Sequence, residues 1–215
     1  MSESPETFGL KLSALLNEAG LDVLDSALII SFQAYLSLLL RWNARVNLTA
    51  IRDEDSILSR HFVESIGCAR ALPAGIKTLL DFGSGAGFPG IPIALCRPEI
   101  AVTLAESQGK KAAFLQEAVR VLGISAKVYS GRAESLAAQF DCVTLRAVDR
   151  MPKAVKAAAA LVGAGGWLAL MTTGAELAGL QVAAGANLCW KPAGTQPCAG
   201  HRIIAFARRD ISSPA

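Results

Sequence analysis

The feature that most constrains this 215-residue chain is the segment Leu79-Leu80-Asp81-Phe82-Gly83-Ser84-Gly85-Ala86-Gly87-Phe88-Pro89-Gly90, where an apolar run gives way to closely spaced glycines and then to a helical pattern. Glycine lets a backbone turn tightly and approach a ligand, and the helix that follows presents unpaired N–H groups and a positive dipole end. A strand, a glycine loop and a helix in that order open a parallel α/β sheet, with something polar or anionic expected at the loop. Glycine loops also serve as plain strand-to-helix turns. The surrounding sequence therefore has to discriminate.

From Lys77 onward short β-rich runs alternate with helical ones, the pattern of a doubly wound sheet. The expected strands are Thr78 to Phe82, Val102 to Glu106, Ala126 to Ser130, Cys142 to Arg146, Gly166 to Met171 and His201 to Ala207. Between them the pattern predicts helices over Ile91 to Cys96, Lys110 to Leu122, Pro152 to Leu161 and Ala175 to Ala183. The proline- and glycine-containing loop Lys191 to Gly200 is expected to form part of a hairpin. The preceding part reads as helical: Phe8, Leu12, Leu15 and Leu16 recur at helical spacing, as do Leu28, Phe32, Leu36, Leu39 and Leu40, and a third stretch runs from Ile57 to Ala71. This divides the chain into a helical cap, residues 1–75, and a Rossmann-like domain, residues 76–215.

Composition narrows the function. Apolar residues make up 52% of the chain and charged residues 18%, which supplies a core and argues against disorder. The apolar stretch Ala27 to Leu40 is broken by Ser31, Gln33 and Ser37, so no membrane span is expected. The N-terminus carries acids and no basic cluster before an apolar segment, and a cytoplasmic location is the expectation. The five cysteines (Cys68, Cys96, Cys142, Cys189 and Cys198) form no CxxC pair, which suits neither a disulfide framework nor a zinc site, and no metal is expected. The net charge of +3 is unevenly spread: residues 1–75 hold six basic and nine acidic residues, residues 76–215 fifteen and nine. The positive excess thus lies on the sheet domain.

Two cofactors compete for the loop. Gly85-x-Gly87-x-x-Gly90 satisfies the dinucleotide fingerprint, and Asp81-x-Gly83-x-Gly85-x-Gly87 the methyltransferase one; Glu106, about 20 residues on, offers a carboxylate to the ribose hydroxyls of either. Two features favour S-adenosylmethionine. Asp81 is a carboxylate that an ammonium group could meet, and S-adenosylmethionine has such a group where NAD has none. Gly131-Arg132-Ala133-Glu134, after the third strand, offers a backbone N–H and a carboxylate to an adenine edge. The cofactor set read from the residues is Asp81, Gly83, Gly85, Gly87, Glu106, Ala133 and Glu134.

Further markers extend over nearly the whole chain: Arg41-Trp42-Asn43 with Val46-Asn47-Leu48-Thr49, Arg60-His61-Phe62 with Glu64-Ser65-Ile66, Glu106-Ser107-x-Gly109-Lys110-Lys111, and Arg146-Ala147. With the glycine loop, they resemble the RsmG (GidB) family of ribosomal RNA methyltransferases, which modify guanine N7 in small-subunit rRNA. The resemblance implies a class I S-adenosylmethionine-dependent methyltransferase fold: a Rossmann-like, seven-stranded, mostly parallel sheet, its last strand antiparallel, with an N-terminal helical extension. It also implies cofactor contacts from Gly83, Phe88, Glu106, Ala133, Glu134 and Arg146. The implied partner is 16S rRNA in the small ribosomal subunit, with no DNA and with the enzyme a monomer. Two departures stand out: Glu64 where the family commonly has Asp, and Thr172-Thr173-Gly174 in place of a lysine-glycine pair.

Methyl transfer from a sulfonium is an in-line displacement, so the protein's task is alignment. Guanine N7 carries a lone pair and no proton, and no general base is expected. Candidates for positioning the substrate are Arg146, Arg60, His61 and Lys110, with Arg132, Arg150, Lys153, Lys156 and Lys111 available for phosphates. Phe88 and Trp42 are stacking candidates, although Trp42 continues an apolar stripe and reads as core. Other readings are a small-molecule methyltransferase, a non-catalytic nucleotide- or RNA-binding protein, and an NAD-dependent oxidoreductase.

Overall fold

The computed structural model describes residues 5–191, 196–197 and 202–211. The chain begins with α1 (Pro5–Glu18) and α2 (Ser26–Asn43). Asp25 caps α2 by accepting the Leu28 N–H at 2.8 Å, satisfying one of the free donors at a helix start. Every third or fourth residue of α2, including Phe32, Tyr35, Leu36 and Leu39, is buried.

A continuous helical stretch then runs from α3 (Glu54–Ile57) through a π-helical segment (Leu58–Val63) into α4 (Glu64–Ala71). The apolar periodicity predicts a plain helix here. A π segment takes about one residue more per turn, and so offsets the faces of the helix on either side. Phe62 and Val63 enter the core while Arg60 and His61 are delivered to the edge of the sheet.

The sheet is built from β1 (Thr78–Phe82), β2 (Ala101–Ala105), β3 (Ala126–Tyr129), β4 (Phe140–Arg146), β5 (Val162–Thr173), β6 (Leu188–Trp190), β7 (Gln196–Pro197) and β8 (Arg202–Arg209). Helices α5 (Gly90–Cys96), α6 (Gly109–Leu122), α7 (Met151–Ala160) and α8 (Gly174–Ala184) connect the first six, except that β3 passes to β4 through a 3-10 turn at Ala133–Ser135. The strand order is β3-β2-β1-β4-β5-β8-β6, with the two-residue β7 also paired to β8. Strands β1 to β5 are mutually parallel and β8 is antiparallel to its neighbours. This is the mostly parallel class I methyltransferase sheet, seven strands in line with β7 beside it.

Strand alternation sorts the core into two layers. Leu79, Val102, Leu104, Cys142 and Ala169 face α5, α6 and the N-terminal helices, while Leu80, Phe82, Val143, Leu145 and Leu168 face α7 and α8. Phe8, Leu12, Tyr35 and Phe62 share the first layer with Leu79 and Phe114. The change of texture near residue 75 therefore marks no break in the core: the helical extension is built onto one face of the sheet. The hairpin expected at the last strand is present, β6 and β7 both pairing antiparallel with β8, but neither has a strand signature of its own, since two or three residues carry too little alternation. His201 and most of the Lys191–Gly200 loop lie outside the described residues. Among the described residues, no helix is long and apolar enough to cross a membrane.

Candidate functional site

A cleft of about 570 Å³ opens at the carboxyl ends of β1, β2 and β4. It lies where the strand order reverses between β1 and β4, which is where open α/β sheets bind ligands. One wall is the glycine loop, Glu106 and the turn Gly131 to Glu134. The other comes from Leu48 to Ala50, Arg60 and His61 of the helical extension, together with Arg146 and Arg202.

Gly83 and Gly85 adopt φ of 71° and 59°, a region costly for other residues. A Cβ at Gly85 would meet only the Gly83 carbonyl oxygen at 3.9 Å, so the backbone there is bare, whereas a Cβ at Gly83 would lie 3.1 Å from Val148 Cγ2. Glu106, buried at the end of β2, accepts the N–H of Gly85 at 2.9 Å and that of Gln108 at 2.7 Å. Each of its oxygens keeps a lone pair for a ligand hydroxyl. Ala133 and Glu134 form a short 3-10 turn against the same wall. The glycine cradle, the carboxylate acceptor and the turn suit a nucleoside bearing a polar tail, and the volume falls within the usual range for small-ligand sites. S-adenosylmethionine fits that donor and acceptor set.

Asp81 and Gly87 are exceptions to the expected cofactor set. The Asp81 carboxylate faces inward, accepting from Ser84 Oγ at 2.6 Å, Thr144 Oγ1 at 3.0 Å and Gly90 N–H at 3.0 Å. Burial raises its pKa to about 6 against these hydrogen bonds and the charge of Arg146. It braces the loop from behind and does not line the cleft, so it offers nothing to a ligand ammonium. Gly87 is likewise buried; a Cβ there would lie 2.4 Å from Ile91 Cδ1 and 2.7 Å from the Tyr35 hydroxyl. Its glycine serves packing.

The opposite wall is organised around Arg146, whose side chain is 6% exposed. Its Nη2 lies 2.7 Å from Glu64 Oε2, 2.9 Å from His61 Nδ1 and 2.5 Å from the Arg60 carbonyl oxygen. Glu64, 2% exposed, also has Arg202 at 3.8 Å. Desolvation raises the Glu64 carboxyl above its ordinary value, opposed by Arg146 and then Arg202. His61 stacks on Phe88 with ring centroids 4.8 Å apart, and its Nε2 lies 2.9 Å from Thr49 Oγ1. Burial, reinforced by Arg146, lowers the His61 pKa to about 3, so the ring is neutral and both nitrogens are engaged.

Arg146, Arg60, His61, Phe88, Gly83, Gly85, Glu106, Ala133 and Glu134 thus converge on one cleft. Lys110 does not: it stands exposed on the first turn of α6, and its neighbour Lys111 takes the place at the cleft. Arg132 also lines the cleft, whereas Arg150, Lys153 and Lys156 do not. Trp42 lies away from it, donating its indole N–H to Glu117 at 2.9 Å and packing edge-on against Phe114. Sequence reasoning did not assign Tyr35, Thr49, Glu64, Ser84, Thr144 or Arg202 to the site. Among the described residues no group of His, Cys, Asp and Glu side chains is placed to hold a metal ion.

The fold and the cleft define a class I methyltransferase architecture, as solved structures bear out. An O-methyltransferase from Bacillus cereus, solved in complex with SAH, superposes with a TM-score of 0.61 at 15% identity, covering 96% of this chain and 100% of that one. TrmN from Thermus thermophilus gives 0.55 at 18% identity, covering 71% and 53%. Sequence goes further. Residues 29–185 match the family model for rRNA small subunit methyltransferase G (GidB), and the chain belongs to that family. Proteins named ribosomal RNA small subunit methyltransferase G are 46% identical over 135 residues in a Roseiflexus species (60% of this chain, 58% of the relative) and 48% over 139 in Xylella fastidiosa (62% and 65%). In Stenotrophomonas maltophilia the figure is 44% over 151 residues, 69% of this chain and 70% of the relative. The chain thus spans less than two thirds of the first two relatives.

Proposed function

We propose that this chain is an S-adenosylmethionine-dependent methyltransferase that methylates guanine N7 in the 16S rRNA of the small ribosomal subunit. The observation that carries the reading is the pairing of two unlike walls in one cleft. The glycine loop, Glu106 and the Ala133–Glu134 turn suit the cofactor, and a wall rich in arginine, built from Arg60 of the helical extension with Arg146 of β4 and Arg202 of β8, faces them. With Asp81 turned inward, the preference for S-adenosylmethionine over NAD rests on that turn and on family membership. The same reading has the enzyme acting in the cytoplasm as a monomer.

When bound, the cofactor supplies an electrophilic methyl group. Glu106 would hold the ribose hydroxyls, the turn at Ala133 and Glu134 the adenine, and the bare backbone at Gly85 would admit the amino-acid tail. The guanine N7 lone pair forms the new bond to the methyl carbon while the carbon–sulfur pair stays with sulfur. No proton moves. His61, neutral and occupied at both nitrogens, is therefore suited to holding the wall in shape and not to acting as a base. Arg60, Arg132 and Lys111 at the rim provide positive charge for RNA phosphates.

The test is transfer of labelled methyl from S-adenosylmethionine to small subunits lacking the modification, with Arg146→Ala and Gly83→Trp as controls and thermal melts to check folding. Label on guanine N7, lost in both folded variants, is the expected result. Cofactor binding with no label on the subunit would overturn the substrate assignment and leave a small-molecule methyltransferase or a non-catalytic binder.

A further inference from the structure

We infer that Thr49 reads the target base, its hydroxyl donating a hydrogen bond to guanine O6 and excluding adenine; this rests on the function proposed above. The direction of that hydrogen bond follows from the network behind it. Arginine has no acceptor, so in the 2.9 Å contact between Arg146 Nη2 and His61 Nδ1 the imidazole nitrogen accepts, with Nη2 sharing its two N–H groups among Nδ1, Glu64 Oε2 and the Arg60 carbonyl oxygen. The neutral ring then carries its proton on Nε2, which donates to Thr49 Oγ1 at 2.9 Å. The Ile51 N–H donates to the same oxygen at 3.2 Å. A hydroxyl oxygen accepts two hydrogen bonds, so both acceptor positions are filled and only its own O–H is left to give. The backbone is fixed as well, since the Thr49 N–H donates to Asn43 Oδ1 at 3.1 Å. Thr49 lines the cleft beside His61 and across from the glycine loop.

A donor that cannot accept discriminates between purines. Beside N7, guanine presents the O6 acceptor, whereas adenine presents the N6 amino donor. Guanine therefore completes the network and adenine meets it donor to donor. Arg146, although it lines the same wall, is directed at Glu64, His61 and the Arg60 carbonyl, so its role is to set the His61 tautomer and hence the polarity of Thr49.

The experiment measures single-turnover methyl transfer to small subunits reconstituted with guanosine, inosine, 2-aminopurine riboside or adenosine at the target position. Inosine keeps O6 and lacks the 2-amino group; 2-aminopurine lacks O6 and keeps N7. The full-length wild-type protein is expected to use guanosine and inosine alike and to be about ten- to a hundredfold slower on 2-aminopurine, the range for losing one good base contact. Thr49→Val should slow guanosine by a similar factor and erase its advantage over 2-aminopurine, and Thr49→Ser should restore both. Wild type indifferent to the loss of O6, a result that needs no variant, overturns the assignment. So does a folded Thr49→Val that keeps the wild-type ratio. Wild type that binds S-adenosylmethionine yet methylates none of the four overturns the proposed function itself and this inference with it.

Discussion

The Tyr35 hydroxyl donates to the carbonyl oxygen of Ala86, 51 positions further along the chain, at 2.5 Å and with both groups buried. The Tyr35 ring packs against both Phe62 and Phe88, at centroid distances of 5.3 and 5.2 Å. One side chain of the helical extension thus ties the cofactor-side loop to the segment that carries His61. The two walls of the cleft are mechanically linked.

Tyr35→Phe keeps the ring and leaves the Ala86 carbonyl without its donor. Loss of a buried partner costs about 1–3 kcal/mol. Urea unfolding should show that loss as a lower midpoint with an unchanged slope, and cofactor titration should show weaker binding. An unchanged midpoint would mean that the hydroxyl is dispensable and that the loop is held by Asp81 alone.

The glycines of the loop divide by role, and alanine substitution should separate them. A Cβ at Gly90 would stand 2.3 Å from Leu104 Cδ2 and 2.6 Å from Asp81 Oδ2, inside the core. A Cβ at Gly85 meets nothing closer than 3.9 Å, and the remaining cost is its φ of 59°, roughly 1–2 kcal/mol. Gly90→Ala is expected to impair folding. Gly85→Ala should remain folded, with a melting temperature a few degrees lower, yet bind S-adenosylmethionine poorly. Equal melting temperatures for the two would contradict this division.

The glycine loop, Glu106, the Ala133–Glu134 turn and all but the shortest strands were legible because each has a local signature: a spacing, a period or a strand-end position. Asp81 shows the limit of such signatures. The residue type and its place at the end of β1 are those of a ligand-binding carboxylate, but the direction of its side chain is set by Ser84 and by Thr144, 63 positions away. Lys110 and Lys111 are a similar case, since adjacent positions on a helix face about 100° apart and the sequence alone does not say which one meets the cleft. Tyr35 and Glu64 were illegible for a different reason. Tyr35 reads as one more core position of its helix and Glu64 only as a family marker, and their polar atoms find these partners only when the extension docks on the sheet.

His61 makes a pH prediction whose sign can be worked out. Its pKa is lowered in the fold to about 3, so below the ordinary value near 6.5 the unfolded chain holds a proton that the folded protein does not. The contribution to stability is complete above pH 6.5 and is lost as pH falls toward 3. His61→Asn places an acceptor near Nδ1 and cannot titrate. Relative to this variant, the wild type should lose about 1.4 kcal/mol per pH unit between pH 6 and 4 in parallel urea titrations. Parallel pH profiles for the two proteins would show that His61 charges in the folded state, which is incompatible with its place between Arg146 and Thr49.

The Arg146–Glu64 pair allows stability and function to be separated. Both side chains are withdrawn from water, and removing one partner of such a pair leaves an uncompensated buried charge, a loss of about 3–5 kcal/mol. Glu64→Gln keeps the shape but removes the carboxylate charge in contact with Arg146 and near Arg202, and a loss in that range is expected by chemical denaturation. Replacing both members, Arg146→Met with Glu64→Met, removes both charges and should recover much of the stability. It cannot recover the chain from guanidinium through imidazole to the Thr49 hydroxyl, so methyl transfer should stay low in a well-folded protein. If the double variant were stable and fully active, the buried pair would be a packing device, and the wall that faces the cofactor would need no arginine at this position.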